Sequence, residues 1–135
     1  MSFEELEHTA DIRIRVKASN IEDLFSEAAR ALMTVMFRSI GPGTIRRHIE
    51  LDAMDTVSLL QEFLSELLFI SEVEEFVISG AEIRIAGTHL SADLVGEPFS
   101  REKHTGGLEV KGISYSDLTI AHEHDSYILE VIFDV

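Results

Sequence analysis

Residues 12 to 17, IRIRVK, alternate without a break: Ile12, Ile14 and Val16 fall on one side of an extended chain, and Arg13, Arg15 and Lys17 on the other. A period of two predicts a half-buried strand, read here as the first of the chain. The period then changes to that of a helix. Ile21, Leu24, Phe25, Ala28, Leu32, Val35 and Met36 recur at helical spacing behind Asn20, an N-cap with Asp23 three positions on, which predicts a helix over 21–37. Gly41, Pro42 and Gly43 end it and turn the chain. Ile45, Ile49 and Leu51 share a parity against Thr44, Arg46, His48 and Glu50, giving a strand near 44–52. Asp55 is placed to cap a second helix near 56–72, whose apolar stripe is Leu60, Phe63, Leu64, Leu67 and Leu68.

From residue 75 the texture becomes β-rich. Short strands are predicted at 76–79, 82–86 and 89–95, with Gly80 and Gly87 as turns. The polar segment GEPFSREKHTGG, 96–107, reads as a mobile surface loop, followed by strands near 108–113, 115–122 and 126–134. The pattern as a whole implies a single α+β domain over 1–135, built of largely antiparallel sheets with two adjacent helices packed on one side. Both helices come early, so the later strands must pair among themselves and with the N-terminal strand.

Composition narrows the classes. Apolar residues make up 45% and charged residues 27%, a globular balance, while 7% aromatics and no Trp leave the core to aliphatic side chains. The absence of Cys excludes disulfides, thiolate metal sites and a Cys nucleophile. The opening MSFEELEHTAD lacks the basic and apolar regions of a signal peptide, and no stretch approaches bilayer length; a cytoplasmic protein without membrane contacts is expected. Lys and Arg total 11 against 25 Asp and Glu, a net charge of −14 that repels a phosphate backbone. Direct nucleic-acid binding is not expected, and any RNA would be held by another molecule. The same excess of acid also serves solubility.

The candidate chemistry lies at the two chain ends. Strong strand formers, YILEVIF, run up to Asp134 and Val135, so the terminus is expected to be held in the fold. If the last strand pairs antiparallel with the one that follows Asp11, then Asp11, Asp134 and the Val135 carboxylate come together. Such oxygens suit a hard divalent ion, Ca²⁺, Mg²⁺ or Mn²⁺. Spacing alone leaves open the plainer alternative that Asp11 caps a turn and Asp134 is a solvated strand-end charge. Lys111, between Val110 and Gly112 in a predicted strand, could offset those carboxylates or simply face solvent. His122 and His124 in AHEHD could begin a zinc site, but no third ligand joins them at convincing spacing, and a polar hairpin end is the better reading. His48 and His89 are expected on outer strand faces and His104 in the loop, while His8 adjoins Asp11. No Walker loop, GxGxxG, GxSxG or HExxH is present, which disfavours a self-sufficient catalyst; a small metal-dependent hydrolase is the enzymatic alternative.

Read together, EHTADIRIRV at 7–16, DTVSLLQEFLSELLFISE from residue 55, the GEPFSREKH and LEVKGISY segments, and the terminal VIFDV resemble the archease family, in order and over nearly the whole chain. The resemblance implies an accessory protein, not an enzyme. Its partner would be the tRNA-splicing RNA ligase, which joins tRNA halves with GTP and Mn²⁺ through a guanylylated histidine; the accessory protein promotes that guanylylation and multiple turnover. It also implies an alternative partner, because family members are described as chaperone-like modulators of an RNA methyltransferase. The family's metal-binding aspartates, terminal carboxylate and lysine fall on Asp11, Asp134, Val135 and Lys111. Departures lie elsewhere: Phe63 and Ile128 or a neighbour stand where a Trp is common, and Ser116 where a His often follows the Tyr.

Overall fold

The computed structural model describes residues 2–6 and 11–135; His8, with the rest of the 7–10 segment, lies outside the described residues. The chain runs β1 (Ser2–Leu6), β2 (Asp11–Ala18), α1 (Ile21–Met36), β3 (Ile45–Asp52), α2 (Thr56–Val73), β4 (Phe76–Ala86), β5 (His89–Pro98), α3 (Arg101–His104), β6 (Gly112–Ile113), β7 (Thr119–Glu123) and β8 (Ser126–Asp134). Among the described residues these form two antiparallel sheets. One has the order β1-β2-β8-β6, with β7 also paired to β8; the other has the order β3-β5-β4.

The expected α+β arrangement holds, and the helix pair is what joins the sheets. α1 packs on α2, on β4 of the second sheet and on β1, β2 and β8 of the first; α2 reaches β3, β4 and β6. Alternation decides which strand residues meet the helices. Ile14, Val16 and Ala18 of β2 and Leu129, Val131 and Phe133 of β8 are buried against them, while Arg13, Arg15 and Glu130 face outward. Helical spacing does the same for Leu24, Phe25, Ala28 and Leu32 of α1 and for Leu60, Phe63, Leu64 and Leu67 of α2, all fully buried. Phe25 meets Phe63 at 5.8 Å between ring centroids, joining the two helices through the core. Both predicted caps form: the Asn20 side chain accepts from the Asp23 amide and the Asp55 side chain from the Ser58 amide, each at 2.8 Å.

Several expectations are corrected. The strand at 12–17 is not the first: β1 precedes it and forms the sheet edge, with Phe3 opposite Val16 and under the Arg30 guanidinium at 5.1 Å. The pieces at 76–79 and 82–86 are one strand: Gly80 pairs with Val95 rather than turning the chain, and the β4–β5 register shifts just before it, at Ser79. The loop at 96–107 contains the end of β5 and the short α3. The strand predicted at 108–113 shrinks to Gly112–Ile113. Its first half is engaged elsewhere: the Leu108 amide donates to the Val35 carbonyl at 2.9 Å, satisfying a carbonyl at the C-terminal end of α1. Gly107 allows this approach, since a Cβ there would lie 2.1 Å from the Met36 carbonyl oxygen. The strand at 115–122 is displaced to β7, after a turn over 115–118. No helix among the described residues is long and apolar enough to cross a membrane.

Candidate functional site: the acidic edge between β2, β8 and β6

β2 and β8 pair antiparallel along their length in a register that sets Asp11 opposite Asp134 and Ile12 opposite Phe133. The fully buried Phe133 fixes the register, because a slip of one residue would turn its ring outward and bring Asp134 into the core. Directly opposed residues share a face, so the two aspartates project together on the side away from the helices, their Cα atoms about 4.5–5.5 Å apart as in any antiparallel pair. Both are half-buried.

The other side of Asp134 is taken by the segment that enters β6. The exposed Lys111 lies just outside that strand, a correction to its expected position, and its amide donates to the Asp134 carbonyl at 2.6 Å. Gly112 is the register partner of Asp134, and a Cβ on it would stand 3.7 Å from Asp134 Oδ2. Val135 follows and is partly exposed. One pair along the face, Arg13 stands opposite Ile132, with its Nε buried and lacking a hydrogen-bond partner among the described residues. Arg15 is spanned by Glu4 at 3.1 Å and Glu130 at 3.2 Å, which hold its guanidinium firmly protonated.

As a cation site this edge offers two side-chain carboxylates on one face, an oxygen set suited to a hard divalent ion. Among the described residues no group of three His, Asp or Glu side chains is placed to hold a metal ion. Among the described residues, then, the side-chain oxygens on this face are those of the Asp11–Asp134 pair.

The histidines sort differently. His122 lies on β7, its ring stacked on Tyr127 at 4.1 Å, whereas His124 is in the β7–β8 turn with φ of 55°, so the two do not share a strand face. His104, expected in a mobile loop, is buried. Its Nδ1 accepts from the Ser100 amide at 2.8 Å, leaving Nε2–H to donate to Glu97 at 2.7 Å, a bond that lowers the Glu97 pKa. On the outer face of the second sheet a ladder of side chains runs across the strands. His48 bonds Glu50 through Nε2 and Asp93 through Nδ1; His89 bonds Glu50 through Nε2 and Asp52 through Nδ1; all four distances are 2.8–2.9 Å. Carboxylates only accept, so these bonds favour the protonated imidazoles, and both histidines titrate above the ordinary histidine value. Sequence reasoning placed His48 and His89 on outer faces but missed the ladder. Half of its signal was visible in the parity of His48, Glu50 and Asp52; the other half needs the β3–β5 register.

A helix pair holding two antiparallel sheets, with an acidic edge where the chain's early and late strands meet, defines a small α+β protein. The chain belongs to the archease family: the model of the Archease protein family (MTH1598/TM1083) matches residues 3–135. It is 31% identical to Protein archease of Methanopyrus kandleri with all of both chains covered, and 37% identical to Protein archease of Thermococcus gammatolerans with 87% of each covered. Protein archease-like of Drosophila melanogaster is 32% identical, with 100% of this chain and 91% of that protein covered. The solution structure of Methanobacterium thermoautotrophicum protein 1598 matches with a TM-score of 0.86 at 31% identity, over 98% of both chains. The crystal structure of an archease described as a possible chaperone, from Thermotoga maritima, shares the fold with a TM-score of 0.67 at 20% identity, over 98% of this chain and 96% of that one.

Proposed function

We propose that this chain is an accessory protein that activates the tRNA-splicing RNA ligase, promoting its guanylylation and multiple turnover through the acidic edge. The reading is carried by the β2–β8 register, which puts Asp11 opposite Asp134 on one face of the sheet. It is supported by Lys111, whose amide bonds the Asp134 carbonyl while its side chain remains exposed. Asp11, Asp134 and the Val135 carboxylate would hold a divalent cation, Ca²⁺, Mg²⁺ or Mn²⁺, which when bound supplies a positive charge for phosphate oxygens. The chain's own part is positional: two paired strands keep both aspartates on one face, and Lys111 stands ready for a phosphate or a ligase carboxylate. An edge with two side-chain carboxylates leaves coordination positions for a partner's groups.

The test is a ligation assay with the cognate ligase at limiting concentration. Addition of this protein is expected to give multiple turnovers, and Asp11→Ala or Asp134→Ala to abolish that gain while the fold survives. Undiminished multiple-turnover ligation with both variants would overturn the reading.

A second reading, a chaperone-like modulator of an RNA methyltransferase, is favoured by exposed apolar side chains at Phe69, Val73 and Leu108. It predicts suppression of client aggregation that persists in Asp11→Ala.

A further inference from the structure

The C-terminal end of α2 carries an excess of negative charge that the fold does not neutralise. Glu72, Glu74 and Glu75 crowd this end, where the helix backbone already presents its partial negative charge and the last turn holds no basic residue. Arg47 pairs with Glu74 alone. Glu72 and Glu75 have no ion-pair partner among the described residues, nor does Glu109 beside them.

These three carboxylates line a shallow groove of about 340 Å³ whose remaining wall is apolar apart from Ser71, His104 and Thr105. Phe99 and Leu108, 39% and 50% exposed, flank it, and the buried Val110 forms part of its lining. The wall is anchored: the Phe99 amide donates to the Glu75 carbonyl at 2.7 Å, and the Leu108 amide to Val35 at 2.9 Å. On α2, Phe69 and Val73 are 53% and 64% exposed and share a helix face with Glu72. Apolar surface thus continues beyond the groove.

We infer that this groove docks a basic amphipathic segment of a partner protein. Its apolar side chains would rest on Phe99 and Leu108, and its Lys or Arg side chains would pair with Glu72, Glu75 and Glu109. Charge selects this occupant. A nucleic acid or an anionic lipid surface would meet unpaired carboxylates, and a second copy of a −14 chain would set the same acids against themselves. The groove wall passes from Val110 into Lys111, whose amide bonds the Asp134 carbonyl, so one short segment joins the groove to the acidic edge. The inference therefore deepens the accessory reading by naming the kind of segment the partner contributes.

The experiment titrates the full-length, isotope-labelled protein with a short synthetic Lys/Leu amphipathic helix and, separately, with the same peptide carrying Ser for Leu, at physiological ionic strength. Saturable shifts centred on Glu72, Glu75, Phe99 and Leu108 are expected with the first peptide only. Leu108→Ser and the double variant Glu72→Gln/Glu75→Gln should each weaken binding about tenfold, as for an anchor at an interface. Asp11→Asn and Asp134→Asn should leave peptide binding unchanged, so that failure of the groove and failure of the acidic edge are distinguishable. Equal binding of the Ser peptide, or shifts spread evenly over the acidic surface, would overturn the inference.

Discussion

Phe133 and Asp134 are neighbours on β8 that face opposite ways, and replacing each in turn separates what holds the acidic edge from what it does. Phe133 is fully buried, with Ile12 and Ile113 as its register partners on either side. Phe133→Ala removes the ring and leaves a cavity, at a cost of about 3–5 kcal/mol. Unfolding entropy of ~2.1 cal/mol/K per residue gives, for 135 residues, roughly 0.28 kcal/mol/K, so Tm should fall by about 10–18 °C. Asp134→Asn keeps the shape of an outward side chain with no hydrogen bond or ion pair among the described residues. Its cost should stay within about 0.5 kcal/mol, or roughly 2 °C. Thermal unfolding followed by circular dichroism measures both, and the ligation assay should rank the variants in reverse: Asp134→Asn inactive although stable, Phe133→Ala active below its lowered Tm. An Asp134→Asn variant as unstable as Phe133→Ala would refute the argument, because the carboxylate would then be structural.

Three further outcomes follow from the geometry. The His48 and His89 imidazoles, raised by Glu50 with Asp93 and by Asp52 with Glu50, should titrate above about pH 6.5 in NMR; their stabilisation is complete below that unfolded value and is lost as pH rises through the higher folded one. Glu50 and Asp93, lowered by the same bonds, lose theirs only as pH falls through their depressed folded values, so His48→Gln should flatten the alkaline side of the stability profile; an imidazole titrating at or below its ordinary value would contradict the ladder. Asp55→Ala removes the α2 cap and should cost about 1 kcal/mol, some 3–4 °C in Tm by roughly the same conversion; the cap's contribution holds above the ordinary carboxylate pKa and fades as pH drops through the lowered folded value. Gly107→Ala forces a methyl against the Met36 carbonyl and should cost about 1–3 kcal/mol, with faster amide exchange at Leu108; unchanged exchange would show that the segment tolerates the shift.

Periodicity made most elements legible because it reports burial directly. IRIRVK and the run ending in IFDV each expose one parity to the helices, so their faces could be read, and with them the side on which Asp11 and Asp134 stand. What periodicity cannot carry is partnership. β1 was missed because SFEEL holds only two separated apolar residues and depends on β2 for its place. Gly80 looked like a turn because a glycine next to a register irregularity within a strand reads in sequence like a break between strands. The segment before β6 looked like a strand because its apolar residues alternate, yet its amides are engaged with the end of α1 and with Asp134. His104 was assigned to a surface loop because nothing local marks Glu97, seven positions earlier and on β5, as the group that takes its Nε2–H.

The β2–β8 pairing also fixes when the acidic edge can exist. Asp11 and Asp134 are joined by a contact that spans nearly the whole chain, among the costliest kinds to close during folding. On the ribosome β2 emerges well before β8 and waits for it. The acidic edge is therefore absent from a nascent chain until β8 has been made and has paired with β2, so the site is a late product of folding.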